Sequence, residues 1–192
     1  MSTATDKELM VSVQRGDVAR LGELFERHHR RLYHTFVRLV GDRAASEDLV
    51  QEVFVRMLRY RDTFRSDAEF TPWLFTLARN VAHDHRQSRK RLRLVDEEPA
   101  DIADDEPGAS ARLEDQETRR RLDRALASLP PDRREVLALA RFSELKYEQI
   151  GAIVGTTAGA VKVRVHRALN DLRAAYLDIE KRESRRAAGE PS

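Results

Sequence analysis

The chain has no cysteine, so disulfides, thiolate metal ligands and thiol redox chemistry are excluded within it. It has no apolar run near the length a bilayer crossing needs, and Met1 to Glu8 carries Asp6, Lys7 and Glu8 where a secretory signal would be apolar. A cytoplasmic protein without membrane insertion is the expectation. Glycine and proline are scarce, eight and six in 192 residues, and mostly separate the periodic segments. No glycine-rich phosphate loop appears, no nucleophile stands beside a plausible base, and no carboxylate pair sits in an apolar setting. Neither catalysis nor a cofactor is expected. Strand-type alternation is absent too, which leaves an all-α chain.

What the chain does have is charge, unevenly placed. Lys plus Arg number 35 against 33 Asp plus Glu, a formal net charge of +2. Segment 79–93 holds Arg79, Arg86, Arg89, Lys90, Arg91 and Arg93, opposed only by Asp84. Segment 96–106 holds Asp96, Glu97, Glu98, Asp101, Asp104, Asp105 and Glu106 with no cation. Such segregation suits local anion-binding faces that the average conceals.

Helical spacing predicts helices over 6–15, 17–40, 44–60, 71–92, 112–128, 132–142, 147–154 and 158–182. Between the fourth and fifth, the acidic stretch with Pro99 and Pro107 lacks the apolar surface to offset its ordering entropy. The chain therefore divides into an N-terminal helical domain (1–95), a flexible acidic linker (96–111), a C-terminal helix-turn-helix domain (112–183) and a disordered tail (184–192).

The most telling stretch is Tyr147 to Leu172. A helix, a turn at Val154-Gly155-Thr156-Thr157 and a second helix follow one another. In that second helix Val161, Val165, Ala168, Leu169 and Leu172 share one side, while Lys162, Val163, His166 and Arg167 share the other. Gly155 suits a residue with positive φ, and Thr157 can cap the second helix. Cations outward from a short-turned helix pair make a helix-turn-helix able to enter a DNA major groove; the bland alternative is a helical hairpin with a solvated face.

Three further constellations stand upstream. Asp48, Gln51 and Glu52 share a helix face opposite Leu49, Val50, Val53, Phe54 and Met57, either as a solvated side or as a docking face for a basic helix. Phe64 and Phe70 flank a polar loop that either stacks an unpaired base or is anchored by its aromatics in the core. Thr71 and Pro72 then suit the start of a helix whose stripe is Trp73, Leu74, Leu77 and Val81. That helix continues into Arg79–Arg91, an edge suited to phosphates and bases. His83-Asp84-His85 spells metal ligands, but neighbours one or two apart diverge on a helix, and His28-His29 fails likewise.

In their order and spacing these pieces resemble the extracytoplasmic-function (ECF) sigma factors of the sigma-70 family, over roughly residues 17–93 and 112–175. The resemblance rests on the Asp48-Leu-Val-Gln-Glu-Val-Phe run, on Phe70-Thr-Pro-Trp-Leu-Phe-Thr-Leu-Ala-Arg-Asn with Asp84 and Arg86, on Leu129-Pro-Pro-Asp-Arg-Arg-Glu-Val, and on Tyr147-Glu-Gln-Ile-Gly with Gly159-Ala-Val-Lys. It implies a role for each constellation. Asp48, Gln51 and Glu52 would grip the β′ clamp helices of core RNA polymerase. The loop from Arg65 to Phe70 would capture a flipped base of the −10 element, with Asn80 and Arg86 contacting the melted strand. Thr157, Lys162, Val163, Arg164, His166 and Arg167 would lie at or on the helix that reads the −35 element. The C-terminal domain would pack on the β flap, and an anti-sigma factor would be a further partner.

Departures from the family pattern are also legible. Val163 stands where a small polar residue is common, which makes base readout there apolar. Thr156 replaces an apolar turn residue, and Gly151 replaces alanine at an expected cost to its helix of up to about 1 kcal/mol. A stand-alone helix-turn-helix regulator is the alternative function, but the sequence shows no dimerising heptads; a protein-binding adaptor is a third.

Overall fold

In a computed structural model of the chain, residues 4–93 and 111–187 are described. Residues 96–110 of the expected linker and 188–192 of the expected tail lie outside the described residues. The rest forms eight α-helices with no strand among the described residues: α1 (Asp6–Gln14), α2 (Arg20–Val40), α3 (Arg43–Arg59), α4 (Phe70–Arg93), α5 (Ala111–Ser128), α6 (Pro131–Phe142), α7 (Tyr147–Val154) and α8 (Ala158–Ala187). A short 3₁₀ turn, Arg61–Thr63, precedes the loop into α4.

Local chemistry explains the boundaries. The Thr5 hydroxyl accepts from the Glu8 amide while the Glu8 carboxylate accepts from the Thr5 amide at 2.7 Å, a reciprocal cap that starts α1. Gly41, with φ of 75°, ends α2 in the left-handed conformation, and Asp42 at once caps α3 by accepting from the Ala45 amide. Pro131 occupies the first turn of α6, where its missing N–H costs nothing. Two expectations move. Helix α4 begins at Phe70, so Thr71 lies inside the helix and not at its cap. Helix α8 runs on to Ala187 and absorbs residues 184–187 of the expected tail.

Helices α1–α4 form one module and α5–α8 a second, but the two are closed on each other. Helix α6 lies along α2, and α7 sits by α4. Leu24, Leu32 and Phe36 of α2 belong to the same buried apolar cluster as Leu126, Val136 and Leu139 of the second module. Charged groups seam the boundary. Arg79 Nε donates to Glu135 at 3.0 Å, Arg31 pairs with Glu144 at 2.7 Å, and Arg38 pairs with Asp123. The Arg134 guanidinium donates to the carbonyls of Ala127, Leu129 and Leu39, which ties the ends of α5 and α2 together. The modules close on each other because α2 carries apolar surface on the side that α6 covers.

Candidate nucleic-acid interface

The aim of α8 is fixed by the turn before it. Gly155 takes φ of 69°, a left-handed value that glycine adopts without strain, and its amide donates to the Gly151 carbonyl. The Thr156 amide donates to the same carbonyl at 2.8 Å. Thr157 Oγ1 then accepts from the Ala160 amide at 3.2 Å and caps α8. Gly151 proves to be a requirement of this turn and not a weak point of α7: a Cβ there would lie 2.5 Å from the Thr156 carbonyl oxygen. The backbone approaches too closely for the alanine that the family pattern favours.

With the turn set, Val161, Val165 and Ala168 are buried, and Lys162, Val163, Arg164, His166 and Arg167 all face outward. His166 Nε2 lies 3.2 Å from the Asn170 side-chain amide. Lys162, Arg164 and Arg167 have no hydrogen bond or ion pair with any described residue. The sector expected from periodicity is therefore the exposed one, and its cations are uncommitted.

The first module presents an open cleft of about 400 Å³ between α3 and α4, lined by Arg56, Tyr60, Thr63, Leu77, Asn80, His83 and Asp84. Asn80 lines it. Phe70 does not. It is buried against Phe64, Trp73 and His28, with ring centroids 5.2 to 6.1 Å apart, and so holds the loop from beneath. Arg65 is exposed but turned on Asp67, with a two-point contact of 3.0 and 2.9 Å. Arg86 is not among the residues lining the cleft; it lies two turns along α4 from Arg79, which pairs with Glu135 of the second module. Tyr60, Thr63 and His83 were missed in the sequence. The spacing of Leu77, Asn80 and Asp84 along α4, and of Arg56 on α3 with Tyr60 at its C-terminal cap, was the available signal.

On α3, Leu49, Val50, Val53, Phe54 and Met57 are buried, which leaves Asp48 and Gln51 exposed on the opposite side with Val55, itself 49% exposed. Glu52 is half-buried and engaged: Arg56 Nε donates to it at 2.7 Å, and the same guanidinium donates to Asp84 on α4 at 2.7 Å. One arginine thus links the acidic face of α3 to the cleft.

An all-helical pair of modules, one with a capped helix-turn-helix whose cations face outward, defines a DNA-binding protein. Residues 24–92 match the family model for sigma-70 region 2, and residues 119–172 match that for sigma-70 region 4. The chain is 34% identical over 160 residues to RNA polymerase sigma factor CarQ of Myxococcus xanthus, covering 82% of this chain and 90% of that protein. It is 38% identical over 144 residues to the ECF RNA polymerase sigma factor EcfG of Rhodopseudomonas palustris, covering 74% and 77%. Among solved structures it resembles CnrH in complex with the cytosolic domain of CnrY, with a TM-score of 0.66 at 25% identity over 91% of this chain and 97% of that one. It also resembles the sigma factor RpoE of Bartonella quintana in complex with the anti-sigma factor NepR, with a TM-score of 0.62 at 28% identity over 80% and 94%. The chain belongs to the ECF sigma factors of the sigma-70 family. Like them, it is a transcription initiation factor that directs core RNA polymerase to promoters. Among the described residues, no helix is long and apolar enough to cross a membrane.

Proposed function

We propose that the two modules divide promoter recognition as follows. The outward face of α8, with Lys162, Val163, Arg164, His166 and Arg167, docks the −35 element as duplex, and Thr157 sets its approach. The cleft of Tyr60, Thr63, Asn80 and Asp84 takes a base flipped from the −10 element, since extruded bases are read by polar edges within a pocket. Arg65, once released from Asp67, holds the adjoining backbone, while Phe70 supports the loop from the core. Arg86 reaches strand phosphates when the second module moves off the first. Asp48, Gln51 and Glu52, with Val55 beside them, form the strip that grips the β′ clamp helices, and the second module packs on the β flap. The protein works by binding, without chemistry of its own, and in the cytoplasm.

The single observation that carries this reading is the uncommitted cationic face of α8 behind a cap and turn that fix its direction. An anti-sigma factor as partner is supported by the similar sigma factor RpoE, solved in complex with one.

The test is reconstituted initiation. Purified chain is added to core polymerase on promoter-library DNA and new transcript starts are mapped. New starts sharing two spaced elements are the expected result; a core enzyme that neither retains the chain nor initiates anywhere new overturns the reading. Replacing Asp48 and Gln51 by alanine together weakens retention by core while leaving the helical content unchanged; undiminished retention removes those two residues from the docking strip.

A further inference from the structure

We propose that Val163 is a specificity residue that reads the 5-methyl group of a thymine in the −35 element. The proposal rests on the reading of α8 as the duplex-docking helix and adds the chemistry of one position. Val163 is 48% exposed, in the middle of a helix face whose other members are Lys162, Arg164, His166 and Arg167. The apolar side of α8 is already complete without it, because Val161, Val165 and Ala168 are buried there. Nothing in the fold therefore calls for an apolar side chain at this point.

The residue type is informative as well. A β-branched side chain costs helix propensity, and in a helix valine keeps essentially one χ1 rotamer. Its two methyl groups are thus held at a fixed place on the outward face. The turn that aims α8 is itself rigid: Gly151 admits no Cβ, Gly155 is left-handed, and Thr157 caps. A fixed apolar group on a fixed helix suits a fixed apolar target.

The major groove offers one such target among the four ordinary bases. Guanine, adenine and cytosine present acceptors and donors, and only thymine adds a methyl group at the groove edge. Valine can neither donate nor accept, so it gains nothing from the polar edges and leaves them unpaired if it faces them. Arg167 lies four residues on, one turn along the same face. Arginine pairs best with guanine at its two acceptors. The inferred signature is a thymine close to a guanine, with the methyl read by Val163 and the guanine by Arg167.

The experiment isolates the methyl group. Binding sites are first selected from a random duplex pool by holoenzyme reconstituted from the full chain and core polymerase. Each thymine of the selected −35 element is then replaced by deoxyuridine, which removes the methyl and leaves pairing and groove polarity alone. One position is expected to lose about fourfold in affinity, the worth of burying a single methyl-sized group. At that position 5-methylcytosine should bind more tightly than cytosine by a similar factor. Val163→Ala, an exposed change toward a better helix former, should bind the thymine and deoxyuridine duplexes alike. A selected element in which no thymine matters, or a deoxyuridine loss that persists unchanged in Val163→Ala, overturns the proposal while leaving the sigma-factor reading intact. Failure of holoenzyme to select any sequence falls on that reading instead.

Discussion

At the boundary between the modules, Arg31, Arg38, Arg79 and Arg134 each meet an acceptor within the chain, whereas Lys162, Arg164 and Arg167 on the outer face of α8 meet none among the described residues. The same charge does different work in the two places. The boundary cations are half-buried, and their partners are carboxylates and helix-end carbonyls, of which Glu135 and Asp123 are themselves largely buried. The α8 cations are exposed to solvent and open to a polyanion. The boundary is thus a question of stability, and the α8 face is a question of affinity. Substitutions in the two regions should separate along that line.

The largest effect is expected at Arg134. Its guanidinium satisfies carbonyls at the ends of α5 and α2 together, and charge-assisted hydrogen bonds of this kind are the stronger ones. Arg134→Ala should cost about 3 kcal/mol in chemical denaturation, as one charged donor leaves several acceptors unpaired. Promoter preference of the folded fraction should stay the same. A stability change below about 0.5 kcal/mol, the range of ordinary surface substitutions, would break the comparison.

Gly151→Ala comes next, and it probes the device that aims the affinity face. The new methyl would meet the Thr156 carbonyl oxygen at 2.5 Å, so the backbone has to shift. A loss of about 2 kcal/mol, typical of overpacking, is expected from thermal unfolding despite the better helix propensity of alanine. A gain in stability would show that the turn can yield.

Arg167→Ala tests the other side of the comparison. Folding stability should move by no more than about 0.5 kcal/mol, since the exposed side chain has no partner to lose among the described residues. Binding to the −35 duplex should fall by about 1.5 kcal/mol with relaxed preference at one base pair, measured by titration against single-site variants. A loss that is uniform across sequences, with a smaller salt slope, would move Arg167 from base to phosphate.

How much of this was legible beforehand varies by region. The helix-turn-helix was legible because its signals are local: Gly155, Thr157 and a 3.6-residue period lie within one short stretch. The burial of Leu49, Val50, Val53, Phe54 and Met57 was legible for the same reason. The cleft was not, because its lining comes from α3, the 3₁₀ turn and α4 together, and no single periodicity records which faces meet. Phe70 could be read as either base-stacking or core, and its burial against Phe64 and Trp73 decides for core. The closure of the modules was hidden by the acidic linker, which reports on its own solubility and not on the apolar side of α2. Gly151 misled for a related reason: propensity values a residue on an isolated helix, and the approach of the Thr156 carbonyl is tertiary.

The smallest predicted effect lies at His28, where the boundary is sensitive to protons. His28 is buried, and its Nδ1 accepts from Arg31 at 2.9 Å, which places the ring proton on Nε2, 2.7 Å from the Asp6 carboxylate. Burial holds the imidazole below its ordinary range; the attraction of Asp6 opposes this, and the charges of Arg31 and Arg27 reinforce it. The folded chain therefore binds this proton less readily than the unfolded one. Its contribution to stability is complete above the unfolded value of about 6.5 and is lost as pH falls below it. A second proton on the ring would also displace Arg31, the residue that reaches across to Glu144. Denaturation midpoints should fall by an amount worth less than about 1 kcal/mol between pH of about 7.5 and 5.5, with a shallower slope in His28→Gln. The slope should not vanish, because burial lowers His85 in the same direction. An equal slope in the variant would mean that the boundary does not sense this proton, and that its arginines act through fixed charge alone.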